Sequence, residues 1–144
     1  MTYLLDTNGF IALLVPQHVD HLRVHRFFLR CNFATSPQIQ LGALRFLTRP
    51  RTVAGAGRQL PPLHTADEAL RLVRWLTHAK GKTFIAEDLN CAGRMPFGSV
   101  TGHRQWNDFY LVALAQHHSF MLATCESGLE QHFPEIVKLI PQVN

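Results

Sequence analysis

QWNDFYLVALAQHHSFMLATCE, running from Gln105 to Glu126, carries the pattern that decides the fold. Gln105 to His117 reads as a helix with an almost wholly apolar centre. Phe120-Met121-Leu122-Ala123-Thr124 then reads as a short buried strand. A helix that feeds a parallel strand runs antiparallel to it, so the helix N-terminus and the strand C-terminus share one edge. Asp108 stands in the first turn of this helix and Glu126 two residues beyond this strand. Two acids 18 positions apart in sequence are thereby expected at the same edge of a sheet.

The same alternation extends towards both ends. Upstream, Tyr3-Leu4-Leu5 is a buried-strand candidate, and Gly9 to Val15 a short helix stopped by Pro16. Asp20 to Arg30 has apolar residues at roughly helical spacing, with Asp20 as a possible cap. Asn32 to Thr35 reads as a second strand. Ser36-Pro37 opens a helix that continues to about Leu47. Pro50 to Pro62 reads as a loop. Thr65 caps a helix to about Thr77, with Asp67 and Glu68 in its first turn. Thr83 to Ala86 is a third strand candidate, Asn90 to Gly102 a loop, and Ile136 to Ile140 a fifth strand after Phe120–Thr124. Strands alternating with helices predict an α/β fold: a parallel sheet of five strands covered by helices on both faces.

In such sheets, sites form beyond the C-terminal ends of the strands. Asp6 ends the first strand, so Asp6, Asp108 and Glu126 converge by topology. Clustered carboxylates repel, and a divalent cation is the usual compensation. Oxygen-only ligands suit Mg²⁺ or Mn²⁺ better than zinc. An ion held there can activate water and stabilise charge on a phosphodiester. Each acid also has a plainer reading: Asp6 as a helix cap, Asp108 as a dipole partner, Glu126 as an exposed turn acid. Glu87 and Asp88 are read as cap or solvent-facing acids.

Composition bounds these readings. The chain has 144 residues, 47% of them hydrophobic and 17% charged, which is a globular balance and suits one domain spanning residues 1–144. Lys and Arg exceed Asp and Glu by 14 − 10 = 4, and arginine dominates the excess, which favours a polyanion partner. The longest apolar runs, Phe10 to Val15 and Phe109 to Ala115, are far short of the roughly 20 residues a membrane span requires. No basic segment precedes Tyr3-Leu4-Leu5, so a signal peptide is not expected. Cys31, Cys91 and Cys125 form no CxxC pair and read as inert buried thiols in a reducing cytoplasm. His18, His21 and His25 have helical spacing but no second ligand cluster. His117 and His118 read as dipole partners at a helix C-terminus. No phosphate-binding glycine loop is present, and Asp6 is not followed two residues on by a second acid, which argues against a phosphatase.

The residues also resemble a known family. Leu4-Leu5-Asp6-Thr7-Asn8 looks like the opening signature of PIN domains, the nuclease fold of VapC toxins. Phe33 to Pro37 continuing through Leu41 to Arg45, Gly102-His103-Arg104-Gln105 followed by Asp108 to Leu111, and Leu122 to Leu129 resemble the second, third and fourth motifs in order and spacing. The resemblance implies a three-layer fold, Mg²⁺ or Mn²⁺ at the acids, cleavage of structured RNA, homodimers and a small antitoxin partner in a VapBC-type pair. By position it makes Asp6, Asp108 and Glu126 the metal ligands. Gln40 would orient a water or a substrate oxygen. Asn8 and Thr124 would be polar supports at the substrate side, and His103 and Arg104 would lie near the RNA backbone. Three positions depart from the pattern. Gln40 stands where many PIN domains have Glu, Glu126 where Asp is usual, and Gly9 where an apolar residue is usual. The first two also admit an alternative, a PIN module that binds RNA or a protein without cutting.

Overall fold

The computed structural model describes residues 1–53, 55, 57–79, 82–93 and 100–143. Its main sheet has five strands: β1 (Thr2–Leu5), β2 (Asn32–Thr35), β5 (Lys82–Phe84), β6 (Met121–Thr124) and β7 (Val137–Leu139). Their order is β5-β2-β1-β6-β7, and every neighbouring pair is parallel. The central strand β1 is aligned Leu4 with Ala34 on one side and Leu4 with Leu122 on the other. All three of these residues are fully buried, as a strand enclosed on both faces requires.

The connections are α1 (Thr7–Leu14), α2 (His21–Phe28), α3 (Pro37–Thr48), α4 (Ala66–His78), α5 (Gln105–His117) and α6 (Ser127–His132). From β1 the chain steps outward to β2 and β5. It then returns across β1 to β6 and continues to β7. Right-handed crossovers put α1 to α4 on one face and α5 with α6 on the other, giving three layers. The packing agrees: α1 meets α2 and α3, and α3 meets α4, while Phe109 of α5 stacks edge-on against Phe133 just after α6. The direction of winding reverses between β1 and β6. The crevice at the C-terminal end of that strand pair is the topological switch point, where ligands enter open α/β sheets.

Local chemistry explains the elements. Seven consecutive residues of α5, Phe109 to Ala115, are buried, so a helix apolar nearly all round sits in the core. Thr65 and Glu68 complete a reciprocal capping box on α4. At α1 and α3 the backbones approach closely: a Cβ on Gly42 would lie 2.5 Å from Thr7 Cγ2. Two expected caps work differently. Asp20 occupies the N-cap of α2, yet its carboxylate turns to Arg23. Ser36 occupies the N-cap of α3 but donates its hydroxyl to Glu87 Oε1 at 2.6 Å, and the same oxygen accepts from Gln38 N at 2.6 Å. Glu87 therefore caps a helix far away in sequence.

Two features escaped the sequence reading. The Gly- and Pro-rich segment after α3 contains a short antiparallel hairpin, β3 (Arg51–Thr52) with β4 (Gln59–Leu60). Ser127 to His132 forms the one-and-a-half-turn α6, too short to show a period.

Candidate active site

Asp6 sits between β1 and α1 and is 5% exposed. Its two oxygens are fixed separately. Oδ1 accepts from the backbone N–H of Gly9 at 2.6 Å, capping α1, and Oδ2 accepts from the Thr124 hydroxyl at 2.6 Å. Thr124 ends β6, the strand paired with β1, so this bond crosses the switch point. The Thr124 oxygen in turn accepts from Glu126 N at 3.0 Å, and Asn8 Nδ2 donates to Glu126 Oε1 at 3.1 Å. One hydrogen-bonded chain thus joins Asn8, Glu126, Thr124 and Asp6.

Asp108, half-buried on the first turn of α5, faces the same edge; with Glu126 it lines a cleft of about 170 Å³. Electrostatics ties the three acids together. Burial pushes Asp6 up to about 6, against the lowering pull of its bonds to Thr124 and Gly9, and the charges of Glu126 and Asp108 raise it further. Burial and then the Glu126 charge push Asp108 up to about 6 as well. Three carboxylates converge on one crevice and two of them resist ionisation, but their oxygens are not drawn together into a ready three-ligand group. Among the described residues that closeness is found at Asp88, His117 and His118, whose ligand atoms lie within 4.8 Å of one another.

Among the described residues, no contact joins the remaining candidates to the three acids. Gln40, on the first turn of α3, donates its amide to the Thr35 hydroxyl at 3.0 Å, at the end of β2. His103 and Arg104 are exposed in the turn before α5. That turn is anchored instead by Gln105, whose Oε1 accepts from Thr101 N at 2.7 Å and from Gly102 N at 3.3 Å. Gly9 has a role the sequence reading did not assign. A Cβ there would lie 2.7 Å from Asp6 Oδ1 and 2.8 Å from Leu5 Cδ1, so the missing side chain gives the Asp6 carboxylate its room.

Other candidates lie elsewhere. His117 and His118 do end α5, and both approach Asp88 Oδ1, at 3.5 and 3.0 Å, tying the segment after β5 to the helix. His21 and His25 stack on one another at 5.7 Å, and His21 Nδ1 bonds the carbonyl of Ala12 at 2.7 Å. They join no metal-competent group among the described residues. Cys31 and Cys125 are half-buried, and burial pushes the Cys125 thiol up to about 12. Cys91, expected to be buried, is exposed.

A five-stranded parallel sheet wound in both directions from β1, with the buried Asp6 and the half-buried Asp108 at its switch point, is the architecture of a PIN-type domain. No protein-family model matches the chain. It is 35% identical over 143 residues to the ribonuclease VapC29 of Mycobacterium tuberculosis, covering 98% of each. It is 30% identical over 137 residues to the ribonuclease VapC39 of the same organism, covering 90% of this chain and 91% of that one. The crystal structure of Mycobacterium tuberculosis VapC20, described as a sarcin–ricin loop cleaving toxin, superposes with a TM-score of 0.60 at 11% identity, over 98% of this chain and all of that one. The chain belongs to the VapC ribonuclease family. No described helix is long and apolar enough to cross a membrane.

Proposed function

We propose that this protein is a Mg²⁺- or Mn²⁺-dependent endoribonuclease and the toxin of a VapBC-type toxin–antitoxin pair. The observation that carries the reading is the coupling of Asp6, Asp108 and Glu126 at one crevice, with two of the three held up at about 6. Membership of the VapC family supports it independently. Asp6, Asp108 and Glu126 would hold the ion, whose chemistry is to activate water and neutralise charge on the phosphodiester. The chain's own groups supply orientation. Thr124 and the Gly9 amide fix the two Asp6 oxygens, and Asn8 steadies Glu126. Gln40 orients a water or substrate oxygen, while His103 and Arg104 contact the RNA backbone. The chain acts as a single domain, pairs as a homodimer in the cytoplasm, and is neutralised by a small antitoxin.

Purified protein should cleave structured RNA with Mg²⁺ or Mn²⁺ and stop on adding EDTA. Asp6→Asn and Asp108→Asn should each abolish cleavage. Cleavage that persists unchanged in EDTA would sink the metal mechanism. The second reading, a module that binds without cutting, draws on the amide at Gln40 and the exposed, Asn8-bound Glu126. RNA binding without cleavage across a range of Mn²⁺ concentrations would favour it.

A further inference from the structure

Beside the acids, α1 and α3 enclose a cleft of about 400 Å³ lined by Asn8, Ile11, Gly42, Arg45, Phe46 and Arg49. A second cleft of about 420 Å³ shares Phe46 and Arg49 and runs on past Arg51 to the β3–β4 hairpin. The two form one path. Its inner end is Asn8, the residue bonded to Glu126.

The path carries a run of positive charge next to the acids. Arg45, Arg49 and Arg51 are all exposed, and among the described residues none has a carboxylate within ion-pair distance. Among the described residues Arg23 and Arg71 are the only arginines that pair with an aspartate, so what marks this path is three cations gathered along one cleft and not their lack of a partner. Arg45 stands in the last turn of α3 and Arg49 at its C-cap, where the backbone is already extended; like charges this close repel unless an anion answers them. The α3 C-terminal dipole favours cations at Arg45 and Arg49; Arg51, in β3, lies beyond its reach. The path also has a flat apolar element: the Arg49 guanidinium lies 4.5 Å over the Phe46 ring. Arg51 is held by its Nε bond to the carbonyl of Pro61 at 2.9 Å. Unpaired guanidinia beside an arginine-stacked aromatic ring match the needs of a single-stranded nucleic acid, phosphates on the cations and a base or ribose on the ring.

We propose that this α1–α3 cleft and its extension along Arg51 bind the single-stranded RNA flanking the scissile phosphate, and lead it past Asn8 to the acids. The inference rests on the ribonuclease reading and adds the substrate path. A fluorescently labelled RNA hairpin with single-stranded flanks is the probe, with Ca²⁺ replacing Mg²⁺ and KCl varied from about 50 to 200 mM. Arg45→Ala and Arg49→Ala should each weaken binding several-fold and reduce the slope of log K against log[KCl] by about one. Lys138→Ala, which removes an equal charge from the edge strand β7 and not from the cleft lining, should leave the slope close to wild type. Melting temperatures check that every variant is folded. If Arg45→Ala and Arg49→Ala keep the wild-type slope while the wild type still cuts with Mn²⁺, the path is wrong and the nuclease reading stands. If the slopes fall as expected but the wild type never cuts, the path stands and the nuclease reading is wrong. Loss of affinity for a poly-glutamate peptide with unchanged RNA binding would make the cleft a peptide site and overturn the proposal.

Discussion

At the scale of single residues, the carboxyl of Asp6 shows how position sets chemistry. Asp6 and Asp108 ordinarily titrate at 3.8 and here are pushed up to about 6. The folded chain therefore binds these protons more tightly than the unfolded chain. The associated stability is complete below about pH 4 and is lost as pH rises through about 6. Metal-free protein should accordingly melt at a lower temperature at pH 7 than at pH 5 through these two groups. For Asp6, a gap of about two pH units corresponds to roughly 2–3 kcal/mol. Asp6→Asn should flatten the dependence and raise the metal-free melting temperature at pH 7. An unchanged calorimetric profile would show that the carboxylate is not under strain. Metal binding needs the ionised form, so RNA cleavage should fall away below about pH 6 as well. Gly9 gives a sharper case. Alanine there improves helix propensity by roughly 0.5–1 kcal/mol, but its Cβ would displace the Asp6 oxygen bonded to the Gly9 amide. Gly9→Ala should leave the melting temperature within a few degrees and cut kcat at least tenfold. Equal kcat would show that the carboxylate tolerates rotation.

At the scale of elements, the caps separate what short-range sequence encodes from what it cannot. Thr65 and Glu68 lie three residues apart, and their capping box was legible from spacing alone. The cap of α3 was not, because its acceptor, Glu87, arrives from beyond β5. Glu87→Ala leaves Ser36, which is fully buried, and the Gln38 amide without their acceptor. That should cost about 1–3 kcal/mol in urea unfolding, against about 1 kcal/mol for Thr65→Ala. Equal costs would mean that water replaces the carboxylate without penalty. The same distinction runs through the site. Asp6, Asp108 and Glu126 could be gathered at one edge because strand and helix directions follow from alternation. The Thr124 hydroxyl bridge, the Asn8–Glu126 bond and the room left by Gly9 depend on side-chain packing across 118 residues of sequence or on one missing Cβ. The β3–β4 hairpin and α6 were missed because segments of two to six residues carry no readable period.

At the scale of the whole molecule, α3 turns Ile39, Ala43 and Leu47 into the core and leaves Leu41 58% exposed. One exposed leucine is ordinary surface, but membership of the VapC family makes a dimer the natural expectation, and Leu41 is the place on α3 to test it. We expect a homodimer by light scattering at high micromolar concentration, and Leu41→Asp should shift it towards monomer. A wild type that stays monomeric there would count against the interface. A different consequence follows from the place of β1 at the centre of the sheet. It is the first strand made, yet one of its neighbours is β6, beginning at Met121. Chains grow from the N-terminus at roughly 5–20 residues per second, so Asp6 exists for several seconds before Thr124 and Glu126 are synthesised. During synthesis the first strand has only half its sheet, and its acid lacks the hydroxyl that orients it. The crevice is therefore a late product of translation: a growing chain holds the first acid early and cannot assemble the group until its final strands arrive.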